Sequence, residues 1–142
     1  MDELTKSLED YLETILILEN KEGGARVTSI AKRLNVKKPA VTSALRMLSD
    51  KKFVIYTPYK VVKLTDEGRK LAESVLKRHQ VITKFFVELL NIPENVAEND
   101  ACKIEHVISE YTFNRLSCFL KFIMESDVKC INIDKFNKEY CK

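Results

Sequence analysis

Residues 25–48 read ARVTSIAKRLNVKKPAVTSALRML, and this stretch decides the fold. Ile30, Ala31 and Leu34 recur at helical spacing, and so do Ala40, Val41, Ala44, Leu45 and Leu48. Asn35-Val36 separates the two runs, and Pro39 stands early in the second, where a missing N–H costs little. Thr28 is the expected N-cap of the first helix, and the second is expected over about residues 37–50. Two short amphipathic helices around a tight turn make a helix-turn-helix.

Outward from this core, Leu4, Leu8, Tyr11, Leu12, Ile15, Leu16 and Leu18 predict a helix over residues 4–20, stopped at Gly23-Gly24. On the other side, residues 53–56 and 60–64, joined by Thr57-Pro58-Tyr59, predict a small β-hairpin. Helix, helix, turn, helix and hairpin are the order of a winged helix-turn-helix. Thr65-Asp66-Glu67 then opens a long helix to about Leu90, with the acidic first turn that the helix dipole favours. Asn91-Ile92-Pro93 breaks it, and helices follow over about residues 93–108 and 112–125. Residues 127–142 have weak periodicity and read as a short helix or a frayed tail. The expected fold is mainly α: an N-terminal winged helix-turn-helix over residues 1–70 and an all-helical domain over 71–142.

Composition agrees with this class. Among 142 residues there are three glycines and three prolines, too few for a turn-rich β architecture. No apolar run approaches the roughly 18 residues of a membrane span, and the acidic, amphipathic N-terminus lacks a secretory apolar core. Cys102, Cys118, Cys130 and Cys141 lie too far apart for a CxxC knuckle or redox pair. A reducing cytoplasm is therefore expected, with Cys102 distinctive and the other three serving as packing or surface thiols.

The net charge of +3 conceals an asymmetry. Residues 26–78 hold 14 Lys or Arg against 4 Asp or Glu, a net +10, whereas the rest holds 10 against 17, a net −7. A basic middle between acidic flanks suits phosphate binding. On the second helix of the motif, Lys37, Lys38, Pro39, Thr42, Ser43 and Arg46 would face the major groove. There lysine and arginine serve phosphates, and the smaller residues touch base edges or thymine methyls. Thr28 and Ser29 open the preceding helix, whose N-terminal N–H groups can hold a phosphate. Tyr56, Tyr59, Lys60 and Lys63 on the wing would add backbone contacts.

A second set of residues points to metal. Cys102, Glu105 and His106 stand at i, i+3 and i+4, so on a helix they share one face. Asp10 and Glu13 form an i, i+3 carboxylate pair on the first helix, and His79 lies on the long one. Asp10, Cys102, Glu105 and His106 would make one centre of mixed soft and hard donors. Glu13, His79 and a shared Glu105 oxygen would make a second.

The stretches SLEDYLETI, ARVTSIAKRLNVKKPAVTSALRML, VKLTDEGRKLAESVLKRHQVI and NDACKIEHVIS together resemble the DtxR/MntR family of metal-dependent transcriptional repressors, over essentially the full length. The resemblance implies a homodimer that binds a divalent metal, usually Mn(II) or Fe(II). The loaded dimer then binds a palindromic double-stranded operator and represses metal-uptake genes. The family's ligand positions fall on Asp10, Glu13, His79, Cys102, Glu105 and His106. The chain stops before the SH3-like third domain of longer members, which places it with the short, two-domain branch. It also departs from both family patterns. Manganese-sensing short members carry a carboxylate in place of Cys102, and iron-sensing members carry the cysteine but a methionine in place of Asp10. A thiolate favours later metals and carboxylates suit Mn(II), so the expectation ranks Fe(II) first and Mn(II) next. Zn(II) or Co(II) would bind in vitro.

The alternative is a metal-independent winged-helix regulator that senses a small molecule or thiol oxidation through Cys102. An enzyme is not expected, because the sequence has no Gly-rich loop, nucleophile elbow or HExxH. Neither an organic cofactor nor a membrane partner is implied.

Overall fold

The structure, a computed structural model, describes residues 4–125 and 132–140. Cys130, Cys141 and, of the tail expected from residue 127 onward, residues 127–131 and 141–142 lie outside the described residues. The elements run α1 (Lys6–Glu22), α2 (Val27–Leu34), α3 (Lys38–Asp50), β1 (Val54–Ile55), β2 (Lys63–Leu64), α4 (Asp66–Leu90), α5 (Glu94–Ile104), α6 (Glu110–Glu125) and α7 (Ile133–Glu139). The fold is thus mainly α with one small two-stranded sheet, as the sequence predicts. Two compact units divide it, Met1–Leu76 and Lys77–Lys142.

In the first unit the apolar stripe of α1 supplies Leu8, Tyr11, Leu12, Ile15, Leu16 and Leu18 to the core, where Ile30, Val41, Leu45, Leu48, Val54, Val62 and Leu64 join them. Burial raises the pKa of the Tyr11 phenol by desolvating its charged form. Gly23 ends α1 in the left-handed conformation (φ 71°) and returns its N–H to the Glu19 carbonyl. The turn of the helix-turn-helix is a Schellman cap. Asn35 is left-handed, its N–H reaches Lys32, and the Val36 N–H reaches the Ala31 carbonyl at 3.0 Å.

Two local expectations change. Helix α2 begins at Val27 with Arg26 as N-cap, so Thr28 lies inside the first turn and does not cap it. The cause is tertiary: Val62 donates to the Ala25 carbonyl at 2.8 Å, and this bridge fixes where the extended chain turns into helix. The hairpin is also shorter than expected, pairing only Val54 with Leu64 and Ile55 with Lys63. Val62 spends its N–H on Ala25, and Pro58 has none to give.

Thr65 joins the wing to α4. Its hydroxyl donates to the Lys52 carbonyl at 2.8 Å and accepts the Gly68 N–H at 3.0 Å, capping the helix. Glu19 braces the same joint, accepting the Leu64 N–H at 3.1 Å through Oε1 and pairing with Arg69 through Oε2.

In the second unit Ile82, Leu89, Ala97, Ala101, Phe113 and Leu120 are buried. Phe85 meets Phe119 with ring centroids 6.4 Å apart, joining α4 to α6. Helix α5 stops at Ile104, earlier than the expected 108, because the chain tightens there. The Val107 N–H reaches back only three residues, to Ile104, at 3.0 Å. Ser109 then opens α6 by accepting the Thr112 N–H on its hydroxyl at 3.2 Å.

Candidate metal centre and nucleic-acid interface

The metal-type residues of the second unit surround one carboxylate. Glu105 is the C-cap of α5, and its side chain is 0% exposed. Its Oε2 lies 2.7 Å from His79 Nδ1 on α4. When Glu105 is ionised and the imidazole neutral, Nδ1 carries the proton and Nε2 the lone pair. Its Oε1 lies 3.1 Å from His106 Nε2 yet accepts no hydrogen bond among the described residues. His106 is itself nearly fully buried, and Cys102, one turn earlier on α5, is half-buried and not part of a disulfide.

The expected common helical face is therefore corrected in part. Cys102 lies on α5 and Glu105 keeps helical geometry at the cap, but His106 sits in the turn beyond it. That turn is pinned by Arg78, whose Nη1 donates to the Glu105 carbonyl at 3.4 Å while its guanidinium lies over the Phe113 ring at 5.9 Å. Sequence reading passed over Arg78, since an arginine beside a histidine carries no signal of this role. Asp10 and Glu13 lie in the first unit, half-buried and one turn apart on α1.

This donor set fits a divalent transition metal. A desolvated carboxylate costs several kcal/mol unless paired and hydrogen-bonded, and here one of its oxygens accepts no hydrogen bond. Imidazole, carboxylate and thiol are the donors that first-row divalent ions take.

In the first unit a trough runs between the exposed face of α3 and the wing. Lys38, Thr42 and Arg46 line one wall, Tyr56, Pro58, Tyr59 and Lys60 the other, and Arg26, Val27 and Thr28 line it at the start of α2. It has four cationic residues and no acidic one. Pro39 and Ser43 border a second concavity along α3 with Lys38, Thr42, Arg46, Met47 and Asp50. Lys37, the N-cap of α3, and Lys63 on β2 are exposed, Ser29 is half-buried, and none of the three lines either surface. Arg26 went unnamed in the sequence reading. Its one available signal was a basic residue directly before a helix start.

Residues 3–62 match the family model described as iron dependent repressor, N-terminal DNA binding domain, and residues 65–129 match iron dependent repressor, metal binding and dimerisation domain. The chain belongs to the iron-dependent repressor family. This is the DtxR/MntR group that the sequence resembles, a family of DNA-binding, metal-dependent transcriptional repressors and not of enzymes. An uncharacterized HTH-type transcriptional regulator of Methanocaldococcus jannaschii is 37% identical over 119 residues, covering 83% of this chain and 95% of its own. The HTH-type transcriptional regulator MntR of Bacillus pumilus is 30% identical over 135 residues, covering 95% and 93%. Among solved structures, the manganese regulator SloR superposes with a TM-score of 0.73 at 28% identity, covering 84% of this chain and 55% of that one. ScaR with bound Zn2+ superposes at 0.68 and 28%, covering 81% and 54%. The chain thus spans about half the length of these solved relatives. No helix among the described residues is long and apolar enough to cross a membrane.

Proposed function

We propose that this repressor is activated by Fe(II), or by Mn(II) as the next candidate, and that its loaded dimer binds a palindromic operator controlling metal-uptake genes in the cytoplasm. The observation that carries this reading is the fully buried Glu105 carboxylate between His79 and His106. Cys102, Glu105, His106 and His79 would hold the metal, and the family resemblance adds Asp10 and Glu13 from α1. The Cys102 thiolate favours Fe(II), the carboxylates suit Mn(II), and Zn(II) or Co(II) would bind in vitro. A bound ion supplies the positive charge that offsets these carboxylates. Without that charge Asp10, Glu13 and Glu105 repel one another, and the DNA-reading residues 1–70 sample more placements relative to residues 71–142. Ordering them beforehand tightens operator binding.

Thr28, Ser29, Lys37, Lys38, Pro39, Thr42, Ser43 and Arg46 would meet the major groove and its phosphates, with Tyr56, Tyr59, Lys60 and Lys63 on the wing. Val107, Tyr111, Phe119 and Phe122, all exposed, would form the dimer seam. Phe113 and Leu120, on the same helix as Phe119, are buried and so serve the protomer's own core.

The test is an anaerobic binding titration on a duplex selected from a random-sequence pool by the Mn(II)-loaded protein. The titration is run in chelator and then in Mn(II), Fe(II), Co(II) or Zn(II). Tightening of about a hundredfold, or about 2.7 kcal/mol, by Fe(II) or Mn(II) is expected. Asp10→Ala should abolish that response while leaving the fold intact. Equal binding with and without metal would refute the reading and favour oxidation or ligand sensing through Cys102.

A further inference from the structure

Two consecutive residues of α4 hold one residue of the candidate centre by its two ends. His79 Nδ1 lies 2.7 Å from the Glu105 carboxylate, and Arg78 Nη1 donates to the Glu105 main-chain carbonyl at 3.4 Å. Neighbouring positions on a helix point about 100° apart, so a long side chain is needed at 78 to reach the residue that His79 reaches. The guanidinium is itself held, lying 5.9 Å over the ring of Phe113, which is buried on α6.

The last carbonyls of a helix have no N–H of their own, and a cation beside them is favourable. Beside a site for a metal ion the same charge is a cost, since like charges repel. A permanent positive charge on the residue that supplies the central carboxylate therefore weakens metal binding unless the contact returns something in geometry. Position is what it can return. Glu105 closes α5 where no Gly, Pro or Asn fixes the turn, and His106 follows it directly. Both donors thus hang from the stretch of backbone that Arg78 holds.

We infer that Arg78 is a positioning residue for the metal. By tying the Glu105 carbonyl to α4 and to the Phe113 ring, it fixes how far apart the Glu105 and His106 donors stand. It thereby sets the affinity and the coordination geometry of the bound ion, which it does not touch. Contacts that orient metal ligands are worth about 10–100-fold in affinity. This inference rests on the proposed ligand set and goes beyond it in assigning a residue outside that set.

The experiment titrates the metal-free full chain anaerobically with Co(II) or Mn(II) alone, in competition with a fluorescent chelator. The visible spectrum of the Co(II)-saturated protein is recorded beside each titration. Arg78→Met keeps the apolar stem and loses the charge and the donor, whereas Phe113→Leu keeps the guanidinium and removes the ring beneath it. Arg78→Met should bind both ions about tenfold more weakly, although it has lost a like charge, and its Co(II) spectrum should shift. Phe113→Leu should show a smaller loss and shift in the same sense, and should add nothing in the double variant, because its effect runs through Arg78. Melts in chelator show that each variant is folded at the titration temperature, and Phe113→Leu carries the test if Arg78→Met is not.

An affinity in Arg78→Met equal to or tighter than the wild type's would overturn the proposal, a tighter one reducing Arg78 to a repelling charge. So would weaker binding with an unchanged Co(II) spectrum, which would assign the loss to stability alone, or losses that add in the double variant. If the wild-type chain takes up neither ion, the metal-binding reading itself fails. That outcome is distinct from a wild type that binds beside an Arg78→Met variant that binds equally well.

Discussion

Replacing Glu105 with glutamine should give a variant that is more stable than the wild type without metal and less stable than the wild type with metal. The side chain is 0% exposed, with His79 Nδ1 2.7 Å from one oxygen and His106 Nε2 3.1 Å from the other. Burying a carboxylate costs several kcal/mol, and partner groups recover only part of that. Glu105→Gln removes the charge, keeps the volume, and leaves an amide oxygen for His79. In chelator the variant should therefore gain about 1–2 kcal/mol, or about 3–8 °C in melting temperature for a chain of this length. With Mn(II) at a hundred times its dissociation constant, the wild type should gain about 2.7 kcal/mol. The variant should gain little, because it has lost the central anionic donor.

Thermal melts monitored by circular dichroism, in chelator and in Mn(II), check both halves. Glu98→Gln, on an exposed position of α5, serves as the control and should change neither melt. A variant less stable than wild type in chelator would refute the argument about buried charge. A full Mn(II) shift retained in Glu105→Gln would refute its place among the ligands.

Three further outcomes are expected. A Cβ on Gly68 would lie 1.9 Å from the Phe53 carbonyl oxygen, so Gly68→Ala must push backbone apart, whereas Gly24→Ala meets only a Val61 methyl at 2.7 Å. Urea titration should show a loss of about 2–4 kcal/mol for Gly68→Ala, and much less for Gly24→Ala. Glu19→Ala leaves the Leu64 N–H without its acceptor and should cost about 1–2 kcal/mol, with faster amide exchange at Leu64. Glu19→Gln should cost less, since the Arg69 side chain it pairs with is 41% exposed and solvent screens that pair. On the selected duplex, Lys38→Ala should weaken binding across sequences and lower the salt slope by about one, while Thr42→Ala should relax sequence preference and leave the slope unchanged.

The helices were legible wherever a local rule set them. The stripe of α1 and its stop at Gly23 follow from apolar spacing and a left-handed cap, and the Asn35-Val36 turn follows from asparagine's tolerance of that conformation. The start of α2 was not legible, because it depends on Val62 bonding to Ala25, a partner 37 positions away in the chain. The hairpin was over-read for the same reason. Residues 60–62 have the composition of a strand, but the partner of Val62 lies outside the hairpin.

The candidate site divides along the same line. Residue chemistry marked Cys102, Glu105, His106 and His79 as donors, since few other arrangements place sulfur, imidazole and carboxylate within five residues of chain. Where those donors point depends on a helix end that no Gly, Pro or Asn announces between Ile104 and Ser109. The chain tightens at Ile104 and Arg78 clamps the turn from α4, so Glu105 comes to face two imidazoles from two different parts of the unit. Such a carboxylate gives up stability in the metal-free state, as Tyr59 does at the wing tip by a left-handed backbone without burial. Local rules predict the residues that stabilise a fold, and they fail at residues held against their own preference. In this chain the two clearest such residues are a buried anion at the candidate metal centre and an exposed ring beside the cationic trough. The physical cost of each is the reason to test it as a contact with metal or DNA.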